Sequence, residues 1–244
     1  MSEMQEIDGT VERFRANRAQ IFLDYDGTLV PIRMNPEECY PDKNLLQLLE
    51  KISASHELYI ITGRSMEDIT EFLGKDINVV ALHGAIGRIG GKVVEFVPDL
   101  DRYRKLFKKI ELNLRDKLKV PGLRFYEKDG GLVLHLGLVD PAYRSIILNE
   151  YDYLCREYGL EKYYGINIVE FRIRGVNKGR TITKLRKKGM QALIAGDEDT
   201  DEDSFLFNGD AITIRIGKGK TNAKYSVPDY MEFRKILHEI AYGR

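Results

Sequence analysis

Ile21-Phe22-Leu23-Asp24-Tyr25-Asp26-Gly27-Thr28 decides how this chain is read. Three apolar residues in succession, Ile21 to Leu23, suit the end of a strand covered on both faces, as in a parallel sheet flanked by helices. Two carboxylates, Asp24 and Asp26, then fall where that strand has to stop. Gly27 permits a sharp turn, and Thr28 places a hydroxyl beside exposed amides. In open parallel sheets ligands bind beyond the carboxyl ends of the strands, so the acid pair stands where chemistry is usually done. A plain turn, which also favours Asp and Gly, accounts for the same four residues.

Working outward, the elements alternate. Leu45, Leu48, Leu49 and Ile52 at helical spacing predict an amphipathic helix over 44–52, after a loop or short turn imposed by Pro31 and Pro36. A short apolar strand at 58–61 ends in Thr62-Gly63-Arg64-Ser65, and a helix at 66–73 stops at Gly74. A third strand at 78–82 closes on His83-Gly84. This alternation predicts an α/β fold, a doubly wound Rossmann-like core. From Ala85 the pattern changes. Gly90-Gly91 between 86–89 and 93–97 signals a hairpin. A long helix carries Leu100, Tyr103, Leu106, Phe107, Ile110, Leu114 and Leu118 on one stripe as far as Pro121-Gly122. A hairpin follows, 123–126 and 132–138 around Asp129-Gly130-Gly131, then a helix at 141–158 and strands at 162–165 and 167–173. Helix, strand, strand, twice over, breaks the alternation, so 99–172 is expected to be an inserted α+β domain, with 1–98 and 173–244 forming the core. Alternation resumes with a helix at 178–188, a strand at 192–195, a short helix near Ser204, a strand at 212–216 and a helix at 229–241.

Composition excludes several classes. Thirty-eight basic and 38 acidic side chains give a net charge of +0 over 244 residues, which offers no global attraction to nucleic acid or to an anionic membrane. No apolar run approaches the roughly 20 residues that span a bilayer. The polar start, with Glu3, Glu6, Asp8 and Glu12, has no apolar core of a signal peptide. Two cysteines, Cys39 and Cys155, lie far apart without metal-ligand spacing, so a reducing, cytoplasmic setting without disulfides is expected.

Four separated positions fall at strand ends or helix starts: Asp24/Asp26, Thr62, Asn177-Lys178-Gly179, and the box from Gly196-Asp197 to Asp203. The box has six carboxylates in seven residues, which repel one another unless solvated or neutralised by a cation. A hard cation such as Mg²⁺ takes one or two such carboxylates, with waters and substrate oxygens completing its shell. A solvated acidic helix start is the plainer reading. Lys178 and Thr62 have ordinary surface and turn explanations too, but a phosphate at the helix start would make the amides and the Lys178 ammonium act together.

Taken together and in this order, the four positions resemble the four motifs of the haloacid dehalogenase superfamily of phosphatases. The fuller segments, Leu23 to Ile32, Thr62-Gly63-Arg64, Glu170-Phe171-Arg172 with Val176-Asn177-Lys178-Gly179, the 196–203 box and Thr221-Asn222-Ala223-Lys224-Tyr225, are similar to the trehalose-6-phosphate phosphatases. His135 is followed by Leu136-Gly137 where that family usually has Tyr-Arg, and Ile173 stands for its usual proline. The resemblance implies a Mg²⁺-dependent phosphatase with Asp24 as nucleophile and Asp26 as acid and base. It implies metal ligation by Asp24, the Asp26 carbonyl and Asp197, with Asp201 close by, directly or through water. Thr62, Gly63 and Lys178 would hold phosphate. Arg64, and Lys128, His135, Glu170 and Arg172 of an inserted cap, would surround the sugar phosphate, with hinges near Pro98 and 173–175. A phosphatase of another sugar phosphate or of a glycosyl-glycerate phosphate, and a sugar-phosphate sensor without turnover, are the alternatives. A nucleotide kinase would need a phosphate-binding loop that the sequence lacks. The oligomeric state is not legible.

Overall fold

A computed structural model describes residues 12, 14, 17–33, 36–165 and 167–243. Most of the polar leader, and part of the loop set by Pro31 and Pro36, lie outside the described residues. The chain divides into two compact units, one running to Val94 and resuming at Asn177, the other Glu95–Val176. The second unit is therefore wider than 99–172 by four residues at each end, because the chain enters it through strand β5 and leaves through a turn closed by Val176 N–H to Ile173 O (3.3 Å).

The first unit is built on an eight-stranded sheet, ordered β12-β11-β10-β1-β2-β3-β4-β5. Its strands are β1 (Gln20–Leu23), β2 (Glu57–Ile61), β3 (Asn78–Ala81), β4 (Ile86–Ile89), β5 (Lys92–Glu95), β10 (Ala192–Gly196), β11 (Ile212–Ile216) and β12 (Tyr225–Val227). Pairing is parallel from β12 through β3, and β4 joins β3 antiparallel. Parallel neighbours need helices on the sheet faces, which explains why Ile21, Phe22 and Leu23 are wholly buried rather than alternating. Phe22 stacks on Tyr59 of the next strand with centroids 4.9 Å apart. The chain leaves β1 for β2 on one side, while β10 pairs on the other. The order of strands therefore reverses at β1, and the crevice past its carboxyl end is where such a fold opens.

Helix α1 (Lys43–Ser55) starts where the Asp42 side chain accepts from Leu45 N–H (2.8 Å) and buries Leu45, Leu48, Leu49 and Ile52, the four residues that its periodicity selects. Each contributes about 1.5–3 kcal/mol by leaving water. Helix α2 (Met66–Leu73) is capped by Ser65 and stopped by Gly74 at φ 74°, a value that glycine tolerates without strain.

The second unit pairs helices α3 (Leu100–Lys117) and α4 (Pro141–Tyr158) with a four-stranded antiparallel sheet, ordered β6-β7-β9-β8. These strands are β6 (Arg124–Lys128), β7 (Gly131–His135), β8 (Glu161–Gly165) and β9 (Ile168–Arg172). In this register Leu132 faces Phe171 and Leu134 faces Val169, all buried. The opposite face carries Lys128, Tyr126, His135, Glu170, Arg172 and Tyr163. Tyr151 of α4 locks the sheet: its hydroxyl accepts from Tyr163 N–H (2.8 Å) and donates to Glu170 O (2.7 Å).

Differences from the sequence reading are local. The 123–138 hairpin turns on Asp129-Gly130 alone, so Gly131 is already in β7 and the strand stops at His135. The expected 178–188 helix, α5 (Lys178–Leu185), ends earlier because Arg186 adopts an extended backbone. The short helix near Ser204 is α6 (Asp199–Phe207), begun by a reciprocal capping box between Glu198 and Asp201. The last helix is α7 (Tyr230–Tyr242), capped by Asp229. The third strand stops at Ala81, and Leu82, His83 and Gly84 follow with φ of 51°, 55° and 116°. The three-residue β12 was not anticipated, being too short to show a period. No described helix is long and apolar enough to cross a membrane.

Candidate active site

Asp24 follows β1 directly, and its N–H donates to Ala195 O of the adjacent β10 (2.9 Å), which draws together the ends of the two strands that carry the acids. Asp197 follows β10, and Asp201 sits in the first turn of α6. One carboxylate oxygen from each of Asp24, Asp197 and Asp201 lies within 4.8 Å of the others. Lys178, at the start of α5, donates to Asp24 Oδ1 (2.6 Å) and Asp201 Oδ1 (2.7 Å). Asp201 Oδ2 accepts from the amides of Asp197 (3.2 Å) and Glu198 (3.1 Å). Thr28 Oγ1 donates to Asp197 Oδ1 (2.9 Å).

Gly27 and Gly196 make this crowding possible. A Cβ on Gly27, whose φ is 81°, would lie 2.0 Å from Asp197 Oδ2, and one on Gly196 would lie 2.2 Å from Asp201 Cγ. The turn after Asp26 thus rests directly against the carboxylate of the acidic box.

The electrostatics follow from burial. Asp24 is buried, and loss of water pushes its carboxyl well above the usual carboxylate range, against the pull of Lys178 and with the push of Asp201 and Asp197. Burial, then repulsion from Asp201, raises Asp197 to about 6. Burial works against the Lys178 ammonium, but Asp201 and Asp24 outweigh it and hold the group above the ordinary lysine range. Three carboxylates and one ammonium leave the ionised cluster with a net charge of −2. Oxygen-only donors at that spacing, in a pocket of raised carboxyl pKa, fit a hard divalent cation. The Asp26 carboxylate is not among the three, which is compatible with a main-chain contribution from that residue.

Thr62 follows β2 and is buried; its Oγ1 accepts from Arg64 N–H (3.1 Å), leaving the hydroxyl proton for another acceptor. Gly63 packs on His83, where a Cβ would come within 2.3 Å of Cε1. Arg64, expected around the substrate, pairs with Asp26. Its Nε and Nη2 donate to Asp26 Oδ2 and Oδ1 at 2.7 Å each, because the turn after β1 and the turn after β2 emerge side by side.

Within the second unit, Lys128 Nζ meets Glu170 Oε1 (2.7 Å) and Arg172 meets Glu170 Oε2 (2.7 Å), so the buried carboxylate is held by two cations. The Arg172 guanidinium lies 3.6 Å from the centre of the Tyr163 ring. His135 shares the sheet face; burial first, and then the charges of Lys128 and Arg124, lower its pKa below the ordinary value.

Sequence reasoning missed three participants. Thr28 was read only as a turn hydroxyl. Tyr163 becomes visible only once the β8 register places it beside Glu170. Arg215 donates to Glu198 O (2.9 Å) and Glu202 Oε1 (3.1 Å), while Asn222 N–H and Nδ2 donate to Glu202 Oε2, so two distant residues brace the turn that presents the acidic box. The 221–225 segment was noticed as a motif but gave no hint of that target.

The profile of the trehalose-phosphatase family matches residues 22–229. A trehalose-6-phosphate phosphatase-related protein of Thermoplasma acidophilum is 45% identical over 89% of this chain and 94% of its own length. A crystal structure of a trehalose-6-phosphate phosphatase related protein superposes with a TM-score of 0.85 at 45% identity, over 91% of this chain and 97% of that one. The bifunctional trehalose-6-phosphate synthase/phosphatase of Thermoproteus tenax is 31% identical over 93% of this chain but only 32% of its own length. On these matches, together with the α/β core that carries the acid cluster, the chain belongs to the trehalose-phosphatase family and is a phosphoric monoester hydrolase.

Proposed function

We propose that this protein hydrolyses trehalose 6-phosphate to trehalose and phosphate through an aspartyl-phosphate on Asp24, with Mg²⁺ as its metal. The observation that carries the reading is the convergence of Asp24, half-buried Asp197 and Asp201, with Lys178 bridging the two buried acids Asp24 and Asp201. A carboxylate attacking a phosphate dianion meets charge repulsion, and a bound Mg²⁺ would supply the positive charge that screens it. Asp24, Asp197 and the Asp26 carbonyl would hold that ion, with Asp201 beside it. Lys178 adds the second positive charge and orients the Asp24 carboxylate.

In the first step an Asp24 oxygen bonds to phosphorus, the bond from phosphorus to the sugar oxygen breaks, and Asp26 gives that oxygen its proton. In the second, water attacks phosphorus, Asp26 takes the water proton, and Asp24 leaves as a free carboxylate. Thr62, with the Gly63 amide, is the group for the phosphoryl oxygens. Lys128, His135, Glu170 and Arg172, which share one face of the antiparallel sheet with Tyr163, would be the groups that recognise the sugar. Two free, buried cysteines, Cys39 and Cys155, support a reducing, cytoplasmic setting.

Phosphate release across trehalose 6-phosphate, glucose 6-phosphate, sucrose 6-phosphate and glucosyl-3-phosphoglycerate, with Mg²⁺ and with chelator, tests the reading. Trehalose 6-phosphate should give the highest kcat/KM, and chelator should abolish turnover. Asp26→Asn should lower kcat about 10²-fold or more while Mg²⁺ binding persists. Preference for another ester would transfer the chemistry to a different substrate, and turnover undiminished by chelator would refute the metal.

A further inference from the structure

We propose that Arg64 is a positioning residue for Asp26, acting through a guanidinium fork that fixes the direction of the Asp26 carboxylate, and not a ligand of the substrate. The inference rests on the reading of Asp26 as the proton donor to the leaving sugar oxygen.

Three observations carry it. The fork is two-pronged: Nε meets Asp26 Oδ2 and Nη2 meets Oδ1, both at 2.7 Å. Such a planar pair fixes both torsions of a short acid side chain, which a single contact cannot do. The guanidinium is itself held, its carbon 4.6 Å from the centre of the Phe72 ring and 5.7 Å from that of Tyr25. Its side chain is 10% exposed, against 31% for Asp26, so the arginine is the anchored partner and the acid the one presented outward. Its backbone is tied as well, since Arg64 N–H donates to Thr62 Oγ1 (3.1 Å) and Arg64 O accepts from Leu82 N–H (3.0 Å). One residue thus links the direction of the acid to the position of the Thr62 hydroxyl.

The chemistry gives the arrangement a purpose. Asp26 lies in a turn beside Gly27, and a partly exposed aspartate there would otherwise sample several rotamers. The fork uses one lone pair on each oxygen and leaves the other to hold or accept a proton. A proton donor is useful only within hydrogen-bond reach of the leaving oxygen, so rotamer freedom lowers kcat without weakening substrate binding.

The test separates this role from substrate contact and from general damage. Trehalose leaves trehalose 6-phosphate as an alkoxide that needs a proton, whereas p-nitrophenyl phosphate expels a stable phenolate. For the parent, Asp26→Asn, Arg64→Ala and Arg64→Lys, single-turnover release of the leaving group reports the first step alone, and the ratio of that rate on the first ester to that on the second is measured, with KM for the first. Both Arg64 variants should lower the ratio at least about tenfold, with KM within about threefold of the parent, since lysine keeps the charge but cannot form the fork. A parent-like ratio in Arg64→Lys or Arg64→Ala overturns the inference. So does a KM raised tenfold at an unchanged ratio, which would make Arg64 a substrate ligand. Asp26→Asn separates the two levels: if its ratio is also unchanged, the proton-donor reading fails; if it falls while the Arg64 variants stay level, only the role of Arg64 fails.

Discussion

Replacing Lys178 by methionine removes an ammonium that bridges two buried carboxylates, and its consequence for stability follows from the geometry. Asp24 and Asp201 are 6% and 2% exposed, and each accepts from Lys178 Nζ at 2.6–2.7 Å. Methionine has nearly the same length and fills the space, so the change is one of charge. With all three acids ionised, the cluster passes from −2 to −3. Breaking a buried pair by removing one partner costs about 3–5 kcal/mol, because the remaining charges have neither water nor a counter-ion. For a chain of this size each kcal/mol moves the melting temperature by about 2–4 °C, so Lys178→Met should melt roughly 6–20 °C below the parent in chelator. The more negative cluster should gain more from a divalent cation than the parent does, since ligand at a hundred times Kd adds about 2.7 kcal/mol. Millimolar Mg²⁺ should therefore narrow the gap even though turnover is lost. Thermal melts followed by circular dichroism, in chelator and in Mg²⁺, provide the assay. A variant that melts within about 2 °C of the parent in chelator, or a gap that Mg²⁺ does not change, would refute the idea that Lys178 is the internal counter-ion of this site.

Two further substitutions probe features away from the acids. Tyr151→Phe strands the Tyr163 N–H and the Glu170 carbonyl, so it should cost about 1–3 kcal/mol in denaturant titrations, with no change expected if water replaces the hydroxyl. His56 is buried, and its Nδ1 accepts from Ala19 N–H (3.3 Å), a bond that protonation would abolish. Burial, with Arg18 adding to it, holds its folded-state pKa below the ordinary 6.5. The unfolded chain therefore takes up the proton first, and the stabilisation present above pH 6.5 is lost as the pH falls from there toward the folded value. His56→Gln should flatten the decline of melting temperature below pH 6.5 relative to the parent; parallel curves would show that the residue carries no such linkage.

Patterns local in the chain were legible without coordinates. Continuous apolar runs such as 21–23 and 193–195 mark strands buried on both sides, and the 3.6-residue spacing of Leu45, Leu48, Leu49 and Ile52 marks a helix, because in each case the period is a property of the backbone alone. The order of the acid, threonine, lysine and acid-box segments was equally plain, and it carried the family. Strand ends were less so, since a shift of one or two residues in the 123–138 hairpin depends on which turn closes it.

Contacts across sequence distance belonged to the fold. That Lys178 bridges Asp24 and Asp201, 154 and 23 residues away, follows from β1 and β10 lying side by side, which no periodicity announces. The same holds for Arg64, whose residue type fits a substrate ligand as well as a partner for Asp26. A guanidinium pairs with whichever carboxylate the backbone places within its reach, so composition supplied the chemical means of this site and tertiary structure chose which groups would meet.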